Sequence, residues 1–151
     1  MQNDPEAETM AVKNECFQTL KACNLNYFKN LLSLDLSMNR ISSIEGQFEA
    51  ANLRSLSLQD NLLREIPPKL LQKLPSLTTL HLDMNQISKL EHLHHCPLLE
   101  DLSLHQNRIQ KIENLSPLTF LRKLNLSFNR IGKIEGLAFN TKLELVELGK
   151  N

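Results

Sequence analysis

Residues 99–109 read Leu99-Glu-Asp-Leu-Ser-Leu-His-Gln-Asn-Arg-Ile109, and this stretch decides the fold because its pattern recurs along the chain. The pattern is Leu-x-x-Leu-x-Leu-x-x-Asn-x-Ile/Leu, where x is any residue. It begins at residues 31, 53, 77, 99, 121 and 143, so the period is 22 residues, with a single repeat of 24. Repeats of this length are typical of a solenoid, in which each coil buries its apolar side against its neighbours.

Each repeat contains a short alternation of leucine with polar residues, as in Leu34-Asp35-Leu36. A period of two predicts a strand with its leucines turned inward, and equivalent strands stack in parallel. The predicted fold is therefore an α/β solenoid of about six coils, shaped as an arc with a concave parallel sheet. We number these coils 1 to 6, and we number positions within a coil from its first leucine.

The return half of each coil carries apolar pairs three residues apart, such as Ile109 with Ile112 and Ile131 with Ile134. Inward residues at this spacing predict a convex side that is mostly 3₁₀ or irregular. Coil 2 differs, because Pro67 and Pro68 stand at the start of its return half. Since proline is favoured at the first position of a helix, one or two α-helical turns are predicted there.

An asparagine occupies the ninth position of every repeat, where the strand turns away from the sheet. A carboxamide both donates and accepts hydrogen bonds, so stacked asparagines can satisfy backbone groups from coil to coil. An inner asparagine such as Asn85 or Asn107 would have a coil on each side, and Asn151 a coil on one side only. Substituting Asn151 is therefore expected to cost almost nothing. The predicted ladder consists of Asn39, Asn61, Asn85, Asn107, Asn129 and Asn151.

Two segments complete the repeat unit, Ile109-Gln-Lys-Ile-Glu-Asn-Leu115 and Ile131-Gly-Lys-Ile-Glu-Gly-Leu137. With them, residues 31–151 resemble the 22-residue class of intracellular leucine-rich repeats typified by the regulatory subunit of protein phosphatase 1. The resemblance implies a leucine-rich repeat arc that binds another protein. Similar repeats occur in ciliary dynein-associated proteins, tubulin-folding cofactors and a spliceosomal ribonucleoprotein subunit. The class therefore implies binding without naming the partner.

The two ends depart from the repeat pattern. Residues 1–13 are polar and acidic with few large apolar groups, which predicts a mobile tail. Residues 14–30 resemble a degenerate coil and are predicted to cap the N-terminal end. No polar element follows Leu148, although solenoids need polar caps, so the C-terminal cap is expected to be missing and the last repeat incomplete. We therefore expect the chain to be part of a longer protein.

The composition narrows the class of partner. Seventeen basic residues balance seventeen acidic ones, and the sequence pI is near 7.0. No positive field attracts phosphates, so neither nucleic acid nor membrane is an expected direct partner. The first 30 residues lack a basic segment followed by an apolar run, which predicts an intracellular protein, cytoplasmic or nuclear, with a ciliary or cytoskeletal location as a further option. The three cysteines have no framework spacing, and a Cys16–Cys23 disulfide is the minor alternative to reduced thiols.

The fifth, seventh and eighth positions of each coil face solvent on the concave side, so information about the partner must lie there. Met38, Met84 and Phe128 place apolar groups where solvent is expected, and such groups are favoured as interface anchors. Their alternative role is packing half-tucked against neighbouring coils. The predicted partner-binding residues are Gln59, Asp60, His81, Asp83, Met84, Ser103, His105, Gln106, Asn125 and Phe128.

Two clusters could be taken for chemical sites. His81, Asp83, Ser103 and His105 fall on adjacent coils, but an open sheet offers no enclosed pocket and no free pair of backbone donors for an oxyanion. We predict a polar recognition patch there that is sensitive to pH.

The segment from His92 to Cys96 contains three histidines and a cysteine. One tight bend does not provide four tetrahedral ligands, so we predict a packed Cys96 beside solvated His94 and His95. No catalytic residue, metal or cofactor is therefore predicted in either cluster.

The leading hypothesis is a non-catalytic scaffold or regulatory module that binds a partner protein on its concave face. A phosphatase catalytic subunit and a ciliary or microtubule protein are the candidate partners that the resemblance implies. The first alternative is the N-terminal recognition portion of a larger enzyme or signalling protein. The second is a subunit associated with a ribonucleoprotein.

Overall fold

The structure is a computed structural model and describes residues 8–16, 18, 30–44 and 50–151. Seven short strands form one parallel sheet in chain order, each beside the strand that follows it. Among these residues, one α-helix, α1, spans Pro68–Leu71, and a 3₁₀ turn spans Leu93–His95. The strands are β1 Thr9–Ala11, β2 Ser33–Asp35, β3 Ser55–Ser57, β4 Thr79–His81, β5 Asp101–Ser103, β6 Lys123–Asn125 and β7 Leu145–Glu147.

The strands align without any slip in register. Leu34 pairs with Leu56, and the same row continues through Leu80, Leu102 and Leu124. These central residues are almost fully buried, while their neighbours on each strand are partly exposed. A one-residue slip would turn every leucine to solvent, so burial fixes the register. The predicted fold class, a solenoid with a parallel sheet and little helix, is confirmed.

Helix α1 begins where the sequence predicts it. Pro67 stands just before the helix with an extended backbone, and Pro68 occupies its first turn, where a missing N–H is tolerated. Leu70 and Leu71 are both buried in the core. The insertion in coil 2 therefore serves to pack one more helical turn against the convex side.

Strand β1 lies within residues 1–13, for which the sequence predicts a mobile tail. Met10 pairs with Leu34, and the backbone N–H of Val12 donates to the carbonyl of Asp35 at 2.8 Å. Val12 is only 3% exposed, and Lys13 Nζ lies 2.7 Å from a carboxylate oxygen of Asp35. The prediction is wrong for residues 9–13, because Met10 and Val12 bury their side chains at the edge of coil 1. Residues 1–7 and most of the predicted capping segment, residues 14–30, lie outside the described residues.

The ninth-position asparagines make a regular set of hydrogen bonds, which Asn107 illustrates. Its Nδ2 donates to the carbonyl of Leu82 in the preceding coil at 2.9 Å and to that of Leu104 in its own coil at 3.1 Å. Its Oδ1 accepts from the backbone N–H of Ile87, again in the preceding coil, at 2.9 Å. The bonds of Asn107 therefore stitch its coil to the one before it. The same bonds recur at Asn61, Asn85, Asn129 and Asn151. Asn39 donates to the equivalent carbonyls of Val12 and Leu36, but its Oδ1 accepts from the N–H of Glu15, two positions earlier in the coil than in the other repeats.

Solvent exposure rises in coils 5 and 6. Ile112 is buried under coil 5, but Ile134, its equivalent one repeat later, is 70% exposed. Ile134, which the spacing predicts to point inward, is left uncovered because no described segment packs over it. Leu145 and Val146 on β7 are likewise 48% and 38% exposed, whereas their equivalents on the inner strands are flanked by coils on both sides.

Candidate functional site

The ten residues predicted to bind a partner all lie on a strand or within three residues after one, and all are at least partly accessible. The polar ones that follow β3 and β5, Gln59, Asp60 and Gln106, are exposed. Met84 is 39% exposed and Phe128 is 50% exposed, although both are large apolar side chains. The remaining five are half-buried: His81, Asp83, Ser103, His105 and Asn125.

Asp83 connects coil 3 to coil 4 on this face. Its Oδ1 accepts a hydrogen bond from the hydroxyl of Ser103 and another from the backbone N–H of His105, the latter at 2.7 Å. The carboxylate is therefore engaged by two donors of the next coil. This arrangement holds the ends of β4 and β5 together and orients the backbone from which the His105 ring projects.

The ring of His105 continues the polar contacts into coils 5 and 6. His105 Nδ1 lies 2.9 Å from Ser127 Oγ, and Ser127 Oγ donates to Asn125 Oδ1 at 2.5 Å. Asn125 Oδ1 also accepts from the backbone N–H of Ser127, and Asn125 Nδ2 donates to Glu147 Oε2 at 2.6 Å. Because the single hydroxyl proton of Ser127 goes to Asn125, Ser127 must accept from His105. The histidine therefore carries its proton on Nδ1.

These contacts differ from a nucleophile–base arrangement. The hydroxyl protons of Ser103 and Ser127 go to Asp83 and Asn125, so in neither case is an imidazole the proton acceptor. Asp83 contacts the backbone of His105 and does not orient its ring. General-base activation of a serine needs the reverse polarity. The arrangement can rigidify a recognition surface, but it does not activate either serine hydroxyl as a nucleophile.

The eighth position of each coil has an unusual backbone. Its residues all adopt the left-handed region, with φ between 54° and 62°, although none of them is glycine. Met38, Met84 and Phe128 alternate along this row with charged or polar side chains. Phe128 stands edge-on against the His105 ring, with a centroid separation of 5.0 Å. We call the row the ridge, and it consists of Met38, Asp60, Met84, Gln106, Phe128 and Lys150.

The histidine-rich bend lies on the convex side, as its position in coil 3 predicts. Cys96 is fully buried, and its Sγ lies 3.5 Å from the carbonyl oxygen of Leu74. Burial raises the pKa of the Cys96 thiol to about 12. His94 is exposed and His95 half-exposed; burial, with the nearby His94 and His92, lowers the pKa of His95. Cys96 is therefore a packing residue of the core.

Sequence reasoning missed a groove at the other rim, before the strands begin. The groove has a volume of about 610 Å³ and is lined chiefly by second- and third-position residues, among them Arg54, Glu100 and Arg122. Arg122 contacts Glu144 at 2.6 Å and Glu100 at 3.8 Å, so its charge is matched from both sides. The signal was available in the sequence, because coils 4, 5 and 6 carry charged residues at position two, Glu100, Arg122 and Glu144.

Within the described part of the chain, no helix is long and apolar enough to cross a lipid bilayer.

Three family models match this chain, and each describes leucine-rich repeats. A leucine-rich repeat profile matches residues 51–109, a profile of two leucine-rich repeats matches 97–139, and a third matches 29–44. Vasorin from Xenopus tropicalis is 45% identical over 62 residues, which is 40% of this chain and 9% of vasorin. The chain thus covers only a small part of this relative's length.

Solved structures show the same architecture. A leucine-rich repeat protein of Leptospira interrogans superimposes with a TM-score of 0.75 at 29% identity, over 83% of this chain and 33% of that one. TLR13, solved as a complex with a single-stranded RNA, gives 0.75 at 28% identity, over 83% of this chain and 19% of that one. The functional domain of InlJ from Listeria monocytogenes gives 0.69 at 20% identity, over 93% and 34%, and shows the fold alone.

Proposed function

Because the chain is a leucine-rich repeat protein, we propose that it is a non-catalytic interaction module that binds a partner protein on the concave face of its sheet. Leucine-rich repeats are generally protein-interaction modules, and this fold supplies a broad surface of side chains held by a rigid sheet. The observation that carries the proposal is the exposure of Met84 and Phe128 beside a fixed polar network. Exposed apolar groups rimmed by polar ones are the composition of a protein interface.

The polar network supports binding because it is already ordered. His105, Ser127, Asn125 and Glu147 hold one another through hydrogen bonds that cross three coils. Side chains that are fixed before binding lose less conformational entropy when a partner docks. The same network supports a non-catalytic role, since its hydroxyl protons are directed away from the imidazole.

The charge of the face favours a protein over a nucleic acid as partner. Across the third, fifth, seventh and eighth positions, from Thr9 to Lys150, the face carries five carboxylates and three lysines. Phosphate backbones are bound by an excess of basic groups, so this balance opposes them. TLR13, which has a similar fold, was solved in complex with RNA. RNA is therefore a ligand to test, and we expect no salt-dependent RNA binding by this chain.

The proposal also covers which protein this chain binds and whether the chain belongs to a larger protein. The resemblance to the phosphatase-regulator class makes a phosphatase catalytic subunit the first partner to test and a ciliary or microtubule protein the second. An intracellular location, cytoplasmic or nuclear, goes with either partner. The competing function is a recognition portion within a larger enzyme or signalling protein, and sequencing the surrounding gene separates the two.

The test compares substitutions on the concave and convex sides of the solenoid. Met84→Ala, His105→Ala and Phe128→Ala should each weaken retention of native partners by affinity capture, at a cost of about 2 kcal/mol for a true anchor. His94→Ala removes an exposed convex histidine and is the matched control for His105→Ala. Circular dichroism should show that all four variants remain folded. If His94→Ala weakens capture more than the concave substitutions do, the binding face is assigned to the wrong side.

A further inference from the structure

The ridge combines two features that are each unfavourable for folding alone. Left-handed backbone strains any residue with a side chain, and asparagine and glycine tolerate it best. Asn14, the equivalent residue before coil 1, follows that rule at φ 59°. Met38, Met84 and Phe128 adopt the same conformation with large side chains that are 48%, 39% and 50% exposed. Neither backbone preference nor core packing explains these residue types, whereas contact with a partner does.

The apolar ridge residues stand on alternate coils, which sets their spacing. Parallel strands lie about 4.8 Å apart, so the ridge residues of coils 1, 3 and 5 are separated by about 10 Å. An α-helix rises about 1.5 Å per residue, so residues seven apart on one face are about 10.5 Å apart. Three apolar residues at heptad spacing would therefore meet Met38, Met84 and Phe128 in turn.

The polar ridge residues distinguish a helix from an extended peptide. Asp60 and Gln106 stand midway between the apolar ones, at intervals of about 5 Å. A helix presents side chains three or four residues on at about this interval on the same face. A polyproline helix also repeats every 9 to 10 Å, but it presents no side chain on that face in between. Asp60 forms no ion pair within the described part of the chain, and a basic residue opposite would supply one.

We infer that the ridge binds an amphipathic α-helix of a partner protein, lying along the solenoid axis, with apolar residues at i, i+7 and i+14 and a lysine or arginine at i+3 or i+4 opposite Asp60. This inference rests on the proposed function and specifies the partner's chemistry. Lys150, at the far end of the ridge, forms no ion pair with any residue that the structure describes, and its ammonium favours an acidic residue near i+17 or i+18. The two charges of opposite sign also fix the direction in which the helix lies.

The experiment uses three labelled synthetic peptides of equal length, and fluorescence anisotropy follows their binding as the 151-residue chain is added. The first is an alanine-rich helix with leucines at i, i+7 and i+14 and an arginine at i+3. The second has the same residues with leucines five apart, and the third is a proline-rich peptide with a leucine every third residue. We expect the first to bind at least tenfold more tightly than either control. Equal or tighter binding of either control would overturn the helix inference.

Ridge variants test the contact residue by residue. Met84→Asn and Phe128→Asn remove the apolar groups and relieve the strain of the left-handed backbone, so both variants should fold. Each should still lower the affinity for the first peptide about tenfold. His92→Asn eases the same left-handed backbone on the convex side, so it is the matched control and should leave affinity nearly unchanged. Asp60→Lys should weaken the arginine peptide and restore binding to a peptide with glutamate at that position. Unchanged affinity in Met84→Asn and Phe128→Asn would overturn the inference.

The outcome also separates this inference from the proposed function. The helical peptide could fail to bind while His105→Ala and Phe128→Ala still reduce the capture of native partners. In that case the concave face binds partners and the helix inference is wrong. If native capture is insensitive to those substitutions as well, the proposed function is wrong.

Discussion

Replacing Asn107 by alanine should lower the free energy of unfolding by about 3 kcal/mol. Three of its side-chain hydrogen bonds are buried: those to the carbonyls of Leu82 and Leu104 and that from the N–H of Ile87. Each buried bond contributes on the order of 1 kcal/mol, and water does not reach the groups that alanine leaves without a partner. The total is a large part of the stability of a domain of this size.

Asn151 makes the corresponding bonds in a wetter setting. It donates to the carbonyl of Leu126 and accepts from the N–H of Ile131, at 2.9 and 3.0 Å, but these contacts are only part-buried. Water can replace them, so Asn151→Ala should cost about 1 kcal/mol. The expectation from sequence that this substitution costs almost nothing is therefore revised. That expectation treated each asparagine as serving coils on both sides, whereas each one bonds to its own coil and the coil before it.

Urea denaturation followed by far-ultraviolet circular dichroism measures both losses. Gln106→Ala, at the neighbouring exposed position, is the matched control, and its loss should stay below about 0.5 kcal/mol. Comparable slopes of free energy against urea would show that the variants unfold from similar native states. The reasoning fails if Asn107→Ala is no more destabilising than Gln106→Ala, or if Asn151→Ala exceeds Asn107→Ala.

Two other positions offer matched pairs. At Gly136, with φ 77°, a Cβ would overlap the carbonyl oxygen of Ile112, whereas a Cβ at Gly132 meets nothing within 4 Å. Gly136→Ala should therefore cost more than about 2 kcal/mol in thermal or urea unfolding and Gly132→Ala close to nothing, and equal effects would contradict the close approach. Cys96, with its pKa raised to about 12, should resist maleimide at pH 8 while exposed Cys16 reacts, and mass spectrometry should find both labelled in urea. Labelling of Cys96 in the native protein would contradict its burial. Because the raised thiol pKa favours the folded state with Cys96 protonated, the contribution of Cys96 to stability should fall as the pH rises above about 8.5.

The repeat pattern predicted most of the fold because it reports burial directly. Coils 1 to 6 carry leucine at nearly every inward position, and a period of 22 residues admits one strand register. Strand β1 was missed because its inward residues are Met10 and Val12 and because Glu15 stands at the ladder position. Counting 24 residues back from Leu34 and Leu36 reaches Met10 and Val12, so the signal was present but weak.

The sequence predicted which side chains lie on the candidate site, but not their hydrogen bonds or the backbone conformation around them. Strand alternation identifies His105 as facing solvent, whereas Phe128 was assigned to this face by its place in the repeat. It gives no information on the direction of the hydrogen bonds through Ser127, because these depend on side-chain rotamers. The left-handed backbone of Met84 was also not predictable, since methionine has no preference for that region and the turn around the asparagine imposes it.

The direction of the asparagine bonds has a consequence for how the chain is made. The backbone N–H of Ile87 donates to the asparagine of the next coil, so it has no acceptor until that asparagine is synthesised, 20 residues later. Ribosomes add about 5 to 20 residues per second, so that partner is synthesised about 1 to 4 seconds afterwards. Each coil is thus completed by its successor as the chain emerges, and folding can keep pace with translation from the N-terminus onward. The longest interval during which a buried group lacks its partner is set by one repeat and does not grow with the number of repeats.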